Sequence, residues 1–341
     1  MSNNALQLPD PQLPPPKSTP LDPMRLINWA SGATLSSALP FADRTPDPGL
    51  FGPGSVTWRL HSEQWLIAAG ARAFLLQAAH PVVARGALDH SRFAEDPFGR
   101  VANTVRAMSV LIFGTTEEAH TTARRINRLH LTVTGAVNED VGRHHAGEAY
   151  TAMDPPALLW VHAAFVDSVL TAYQSFVGPL ADDVKLAYWR ESLRYARLLG
   201  LTEAELPPTY AALRAYMDEA VASGEVRVGT DARLIARTIL DPPITWYRRP
   251  LWAIVRNMTI GQLPDELRRQ YGLAWDWPQR LLFAGIRGWA RLMRFVLPRV
   301  LGRSQAATFA GRRVRGELAE HVSGTLSGPP APPPGPVASQ S

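Results

Sequence analysis

The chain has 341 residues, of which 46% are hydrophobic and 19% are charged, and its net charge is +5. This composition supports a large core and excludes a chain that is disordered throughout. Cysteine is absent, which excludes disulfides, cysteine-bound zinc, iron–sulfur clusters, thiolate-ligated haem and covalently attached c-type haem. Any metal must therefore be bound by histidine, methionine, tyrosine or carboxylate side chains.

Both ends of the chain are predicted to be disordered tails. Residues 1–20 are rich in Pro, Asn and Gln, and residues 323–341 are rich in Pro, Gly and Ser. Residues 21–322 contain no linker and no repeat, so we predict one domain there. The sequence has no basic start followed by an apolar stretch and no run of about 18 apolar residues, so we expect a cytoplasmic protein.

Helix start and stop signals divide the domain into helices. Asp-Pro pairs predict helix starts near 97 and 155, and Thr115 with Glu118 has the spacing of a capping box. Alternating β patterns are nearly absent, so the sequence predicts an all-α, bundle-like domain. The predicted helices cover about 55–76, 97–113, 116–134, 155–178, 182–199, 208–223, 231–241, 264–271, 278–297 and 303–320.

His130 is the first candidate functional residue. On the predicted helix 116–134 it shares an apolar face with Ile126 and Val133. A buried neutral imidazole leaves one nitrogen that needs a partner, because an unmet buried polar group costs about 1–3 kcal/mol. Iron or a backbone carbonyl would satisfy that nitrogen. From this pattern alone, a hydrogen-bonded core histidine is the commoner outcome.

Arg100 and Thr104 are the second candidates. They lie one helical turn apart and share a face that continues to Met108 and Leu111. A guanidinium near an apolar face needs an anion, because an unpaired buried charge costs several kcal/mol. Asp96, one turn earlier, could supply it, and so could a carboxylate of a bound cofactor.

Other histidines are expected to have structural roles. His80, His90 and His162 lie in apolar surroundings and are predicted to be hydrogen-bonded, whereas His144 and His145 are predicted to be solvated. The sequence lacks the ligand sets of a di-iron bundle and of a zinc protease, and it has no phosphate-binding loop or dinucleotide fingerprint. Nucleic-acid binding is not expected, because the arginines are dispersed and no recognised reading helix is present.

A basic segment closes the predicted domain. Residues 280–316 contain nine Arg and no Asp or Glu, together with many apolar residues. A solvated Arg face on a helix packed against the core is the favoured interpretation. The alternative is a basic amphipathic helix that makes peripheral contact with an anionic membrane surface.

Seven segments in a fixed order resemble one family, the MpaB-type oxygenases, which share a catalytic domain with the rubber oxygenases called latex-clearing proteins. The resemblance extends over about residues 50–275, and its strength comes from the joint order of the motifs. The segments are AFLLQAAHPVVARGALDHSRFAEDPFGR (73–100), RVANT (100–104), IFGT (112–115), RRINRLHLTVTG (124–135), YTAMDPPALLWVHAAFVDSVL (150–170), LAYWRESLRYARLLG (186–200) and LPDELRRQYGL (263–273).

The resemblance implies a helical fold with a globin-like core and a non-covalent haem b. It implies that His130 is the proximal iron ligand and that Arg100 and Thr104 lie on the distal side, where Thr104 offers a hydroxyl and Arg100 either pairs with a haem propionate or steers bound oxygen in catalysis. Asp154 and Glu191 lie in family motifs and are expected to be structural. Rubber oxygenases have a lysine at the position of Asn103, and this difference argues against polymer cleavage.

The function implied by the resemblance is that of a haem-dependent oxidoreductase with O₂ as co-substrate. Its substrate would be a hydrophobic small molecule, such as an isoprenoid or another unsaturated aliphatic compound. The reaction would be oxygenation or oxidative cleavage beside a double bond. The alternative is a haem- or lipid-binding protein without catalysis, which would share the same cavity.

Overall fold

The computed structural model describes residues 43–90, 97–242, 245–296 and 303–318, and the predicted tails lie outside these ranges. Within the described ranges the chain forms thirteen α-helices and one two-stranded sheet, so the all-α prediction is confirmed. The helices are α1 (Val56–His61), α2 (Ile67–Ala78), α3 (Pro81–Asp89), α4 (Pro97–Phe113), α5 (Thr116–His130), α6 (Pro155–Phe176), α7 (Asp182–Leu198), α8 (Tyr210–Ala222), α9 (Thr230–Leu240), α10 (Arg249–Gly261), α11 (Asp265–Gln270), α12 (Trp277–Val296) and α13 (Gln305–Val314).

Helix α6 lies at the centre of the molecule. It begins at Pro155 after Asp154, as predicted, and packs most extensively against α2. One large hydrophobic cluster runs from Leu60 in α1 to Ala290 in α12. Because a contiguous core of this kind identifies one domain, the described helices form a single folded unit.

Helix α6 is also long and apolar enough to cross a membrane. Its most apolar window has a mean hydropathy of 1.2, but 78% of that window is buried inside the molecule. The bent pair 64–78 and 81–89, with 104° between its parts, passes the same test as one broken span. Burial on this scale is that of a core helix, which needs no lipid to cover it.

The β-hairpin was not predicted from the sequence. Strands β1 (Thr134–Ala136) and β2 (Ala149–Thr151) pair antiparallel, with Gly135 opposite Tyr150. A Cβ atom on Gly135 would lie 2.7 Å from the Tyr150 hydroxyl oxygen, so this position requires glycine. Tyr150 donates a hydrogen bond of 2.8 Å to Asp89 at the end of α3. The hairpin is thereby fixed to that helix.

Several helix predictions differ from the structure. The predicted helix 55–76 is broken, because α1 ends at His61 and a short 3₁₀ turn precedes α2. The helix expected to reach about Thr134 ends at His130, where the chain turns into β1. Helices α3 (Pro81–Asp89) and α10 (Arg249–Gly261) were not predicted, and the predicted helix 303–320 ends at Val314.

A buried charge network joins three helices. Arg72 of α2 donates to Asp167 of α6 at 2.6 Å and to the Ser168 hydroxyl at 2.7 Å. Arg214 of α8 donates to the other Asp167 oxygen at 2.7 Å. Burial raises the pKa of Asp167, but the two guanidinium groups outweigh it and hold that pKa below its usual value. The carboxylate is therefore charged in the folded protein.

The last described helix, α13, packs against α4 through a buried arginine. The side chain of Arg313 is fully buried and donates to the main-chain oxygens of Phe113 at 2.7 Å and Asp47 at 3.1 Å. Its guanidinium also lies 3.7 Å from the Glu118 carboxylate. Residues near both ends of the described chain therefore meet at the α4–α5 turn.

Candidate functional site

The helices α4 and α5 form an antiparallel hairpin that carries all three predicted site residues. The predicted capping box is confirmed, because the Thr115 side chain accepts from Glu118 N and the Glu118 carboxylate accepts from Thr115 N. Leu111 of α4 clusters with Ala119 and Ala123 of α5.

This packing fixes the register of the hairpin. One turn beyond Leu111, Met108 packs against the same cluster, as does Ile126 on the opposite helix. Thr104 lies one turn beyond Met108, midway along α4, and His130 lies one turn beyond Ile126, at the end of α5. Both therefore lie in the half of the hairpin away from the α4–α5 turn.

His130 is the last residue of α5 and is half-buried. It continues the stripe formed by Ala119, Ala123 and Ile126, and its Nδ1 atom is buried. The predicted apolar face does not continue to Val133, because the helix ends at His130. The adjacent Leu129 and Leu131 are 57% and 66% exposed. The imidazole thus lies at the edge of the core, beside exposed apolar side chains.

The distal candidates lie on α4. Thr104 and its neighbour Asn103 have exposed side chains. The main chain of Arg100 is helical, one turn before Thr104, but its side chain is outside the described part of the structure, and so is Asp96. The proposed pairing of Arg100 with Asp96 or with a cofactor carboxylate therefore stays a prediction.

A second polar cluster lies at the amino-terminal end of α3. His80 precedes that helix and is 1% exposed, and its Nε2 atom lies 3.4 Å from the Glu225 carboxylate. His144, in the hairpin loop, places its Nε2 atom 3.8 Å from the same carboxylate oxygen. The prediction that His144 is solvated is wrong, since it is 6% exposed, whereas His145 is exposed as predicted.

Comparison with known proteins identifies the family. The family model described as "ER-bound oxygenase mpaB/B'/Rubber oxygenase, catalytic domain" matches residues 58–316. The chain belongs to this family. No curated protein and no solved structure matches the chain. The match includes the whole α4–α5 hairpin, so the predicted site residues lie inside an oxygenase catalytic domain, and the protein is an oxidoreductase.

Two other histidines of the mpaB/rubber oxygenase motifs have the structural roles that were predicted. The Nε2 atom of His90 lies 2.7 Å from the Thr134 main-chain oxygen, which can only accept, so His90 donates to it. The Nε2 atom of His162 lies 3.3 Å from the Ser192 hydroxyl in the core. Burial lowers the pKa of His162 to about 3, which keeps this imidazole neutral.

The two acidic family-motif residues are also structural. The Glu191 carboxylate of α7 accepts hydrogen bonds from the main-chain N–H groups of Val56 and Thr57, at 3.1 and 2.7 Å. It therefore caps the start of α1, where free N–H groups favour an anion. Asp154 precedes α6 and accepts from Thr151 N at 3.1 Å, which holds the end of the hairpin against that helix.

The basic helix α12 packs against the core, and two of its arginines contact the core helix α6. Arg291 donates to the Gln174 oxygen at 2.7 Å and Arg294 to the Val177 oxygen at 3.2 Å, at the carboxyl end of α6. These cations thus complete the core helix, where arginine is favoured, and the face left in solvent is largely apolar. Its exposed large apolar residues are Trp277, Leu281, Leu282, Trp289, Leu292 and Val296.

Proposed function

We propose that this protein is a haem b-dependent oxygenase that uses O₂ to oxidise a hydrophobic, unsaturated small molecule. One observation carries the proposal most directly. The half-buried imidazole of His130 and the side chain of Thr104 lie in the half of the α4–α5 hairpin away from its turn, inside an oxygenase catalytic domain. The likeness to rubber oxygenases supports an isoprenoid or similar aliphatic substrate.

The residues at this end of the hairpin fit an iron porphyrin. Imidazole is a common iron ligand, and the chain has no thiolate that could replace it. The exposed Leu129 and Leu131 beside His130 offer apolar contact for a macrocycle. Exposed Arg125 and Arg128 on α5 offer cations for carboxylate groups.

The residues would divide the chemistry as follows. A bound haem would supply the redox chemistry of O₂, which no side chain here can perform. His130 would hold the iron, Arg100 would pair with a propionate, and the Thr104 hydroxyl would donate a hydrogen bond to the oxygen co-substrate. The apolar side chains around them would exclude water from the region where a hydrophobic substrate binds.

Replacement of His130 tests the cofactor assignment. We expect the purified chain to show an intense Soret band with about one haem per chain, and His130→Ala to lose stoichiometric haem because the axial ligand is gone. The matched control is His120→Ala, on the same helix and also half-buried. Circular dichroism would show whether the helix content of each variant is intact.

Two outcomes would contradict this assignment. Unchanged haem occupancy in His130→Ala would move the ligand to another histidine. A colourless protein that also refuses added haemin would remove the haem mechanism and favour the alternative, a lipid-binding protein without catalysis. Oxygen uptake that depends on an unsaturated lipid would separate an enzyme from a haem-binding carrier.

We also propose that the protein contacts a membrane peripherally from the cytoplasmic side, through the exposed apolar face of α12. The neighbouring 3₁₀ turn and helix α10 add exposed apolar residues, namely Trp246, Tyr247, Leu251 and Ile254. Several large apolar side chains on one surface are characteristic of an interaction site. Tryptophan and tyrosine in particular are enriched where protein meets the lipid–water boundary. The family description, "ER-bound", is consistent with this location.

A further inference from the structure

We propose that His80, His144 and Glu225 form a binding site for one divalent transition-metal ion of the zinc or iron(II) class. Each residue offers one ligand atom, and these atoms all lie within 4.8 Å of one another. The site is separate from the proposed haem site and rests on different residues.

The distances between the ligand atoms match a shared ion. Donors about 2.1 Å from one zinc ion at tetrahedral angles lie about 3.4 Å apart. The Nε2 atom of His80 lies 3.4 Å from Glu225 Oε1, and that of His144 lies 3.8 Å from the same oxygen. Small side-chain adjustments would bring all three atoms to bonding distance.

The buried imidazole of His80 is the second observation. Its Nε2 atom meets only the Glu225 carboxylate, at 3.4 Å and without hydrogen-bond geometry, and its Nδ1 atom has no hydrogen-bond partner within the described ranges, although the residue is only 1% exposed. An unsatisfied buried polar group is rare in folded proteins and needs an explanation. A metal ion bound at Nε2 would satisfy the side of the ring that faces Glu225.

Neighbouring charges orient the other two ligands. The Nδ1 atom of His144 lies 3.4 Å from the Glu148 carboxylate, which favours the tautomer with its proton on Nδ1 and its lone pair on Nε2. Metal-binding histidines commonly donate their other N–H to a carboxylate. Arg143 lies 3.1 Å from Glu225 Oε2, so the opposite oxygen, Oε1, is the one that faces the histidines.

The alternative to a metal is a hydrogen bond from His144 Nε2 to the Glu225 main-chain oxygen, which lies 3.2 Å away. That bond needs the proton on Nε2, which leaves the Nδ1 lone pair facing the Glu148 carboxylate. It also leaves the Nε2 atom of His80 with only its 3.4 Å approach to the Glu225 carboxylate. A cation bound at both Nε2 atoms removes both problems.

The backbone brings the two ligand-bearing loops into close contact. Gly142 and Gly224 both adopt positive φ, +61° and +79°, and Arg143 N donates to the Gly224 oxygen at 3.0 Å. A Cβ on Gly142 would collide with the main-chain oxygen of Gly224, so the loops pass with little space between them. Glycine permits this approach at no steric cost, and it places His144 beside Glu225.

The donor set selects the class of ion. Two imidazoles and one carboxylate suit zinc and iron(II), whereas magnesium and calcium prefer ligand sets made of oxygen atoms alone.

The metal site lies at the amino-terminal end of α3. Helix α3 has nine residues and begins directly after His80, so it extends about 13 Å towards the hairpin that follows His130. None of the three metal ligands lies on the α4–α5 hairpin, which carries the proposed haem site.

Calorimetric titration with Zn²⁺ tests the proposal in the full chain after chelator treatment, whether or not haem is bound. We expect one equivalent to bind, and His144→Ala and Glu225→Gln each to weaken binding at least tenfold. The matched control is His145→Ala, since His145 is 80% exposed and adjacent in sequence to a proposed ligand. Glu148→Gln should weaken binding about 10- to 100-fold, as expected for a residue that orients a ligand.

The controls separate this site from the haem site. His130→Ala should bind Zn²⁺ as the unmodified chain does, even if it loses haem. His144 and Glu225 lie in loops between helices and strands, so their variants are expected to fold, and thermal melts would show this. If the unmodified chain takes up no Zn²⁺, or if His144→Ala and Glu225→Gln bind it as tightly as the unmodified chain does, the proposal is overturned.

Discussion

His162 shows how burial sets the chemistry of a single residue. It is 5% exposed, and its ring contacts those of Trp189 and Tyr195. Burial lowers its pKa from 6.5 to about 3. Between pH 3 and pH 6.5 the unfolded chain therefore binds one more proton at this residue than the folded protein does. This difference lowers the free energy of unfolding in that range.

This difference predicts that acid destabilises the fold through His162. The contribution of neutral His162 to the free energy of unfolding is complete above pH 6.5 and is lost as the pH falls towards 3. At pH 5 the loss from this residue is about 2 kcal/mol. Urea unfolding at pH 7 and pH 5 measures it, and His162→Gln should remove that share of the pH dependence. His145→Gln, at an exposed position, is the control, and an unchanged pH dependence in His162→Gln would contradict the explanation.

Thr104 gives a second prediction at the residue scale. Thr104→Val keeps the branched shape and removes the hydroxyl, so we expect haem content to stay constant. Substrate-dependent oxygen uptake should fall about 100-fold, as is typical when one hydrogen-bond donor to a reacting oxygen is lost. Thr121→Val, at an exposed position of α5, is the control. Equal activity in the two variants would remove Thr104 from the mechanism.

Among the secondary-structure elements, local signals in the sequence predicted most helix starts. The Thr115–Glu118 capping box and the Asp154–Pro155 pair both act within one turn, so the sequence alone reveals them. The β-hairpin was missed because its strands are three residues each, and its pairing depends on the contact of Gly135 with Tyr150. Such a contact between distant residues leaves no periodic pattern.

The contrast between local signals and contacts of distant residues also explains which candidate site residues the sequence could indicate. His130 could be singled out because its helix and family motif are local. The cluster of His80, His144 and Glu225 could not, because its members are separated by 64 and 81 positions in the sequence. The histidine pair 144–145 lies in a glycine-bounded polar stretch, which indicates a solvated loop. Only the packing of that loop against the one that bears Glu225 buries His144.

The network around Asp167 predicts how strongly three helices depend on one carboxylate. Asp167→Asn would leave Arg72 of α2 buried without its charge partner, and removal of one partner from a buried pair costs about 3–5 kcal/mol. We expect a loss of this size in the free energy of unfolding, measured by urea denaturation. Asp218→Asn is the control, because this residue also pairs with Arg214 but is exposed. Equal losses in both variants would refute the role of burial.

At the scale of the whole molecule, the distribution of arginines on α12 matters more than their number. Arg291 and Arg294 are directed to the end of α6, and the outer face exposes tryptophan and leucine. The surface is thus apolar within a protein that carries a net charge of +5. Insertion of the apolar side chains of α12 into a membrane and attraction of the positively charged protein to anionic lipid would both favour membrane binding.

This arrangement predicts binding to vesicles that contain anionic lipid. We expect binding to weaken with added salt, since salt screens the attraction. The double variant Trp289→Glu/Leu292→Glu should weaken binding at least tenfold, because burial of each side chain contributes about 1.5–3 kcal/mol. Leu234→Glu, at an exposed position of α9, is the control. Vesicle sedimentation measures all three proteins, and unchanged binding by the double variant would exclude this surface.

The buried Arg313 has a consequence for how the protein is made. Its partners, the main-chain oxygens of Asp47 and Phe113, are synthesised long before it. During translation the amino-terminal part of a domain leaves the ribosome first and begins to fold. The α4–α5 turn must therefore wait for α13 before its carbonyl groups are satisfied. A nascent chain halted before residue 313 would expose this region to chaperones, and release of α13 would cover it.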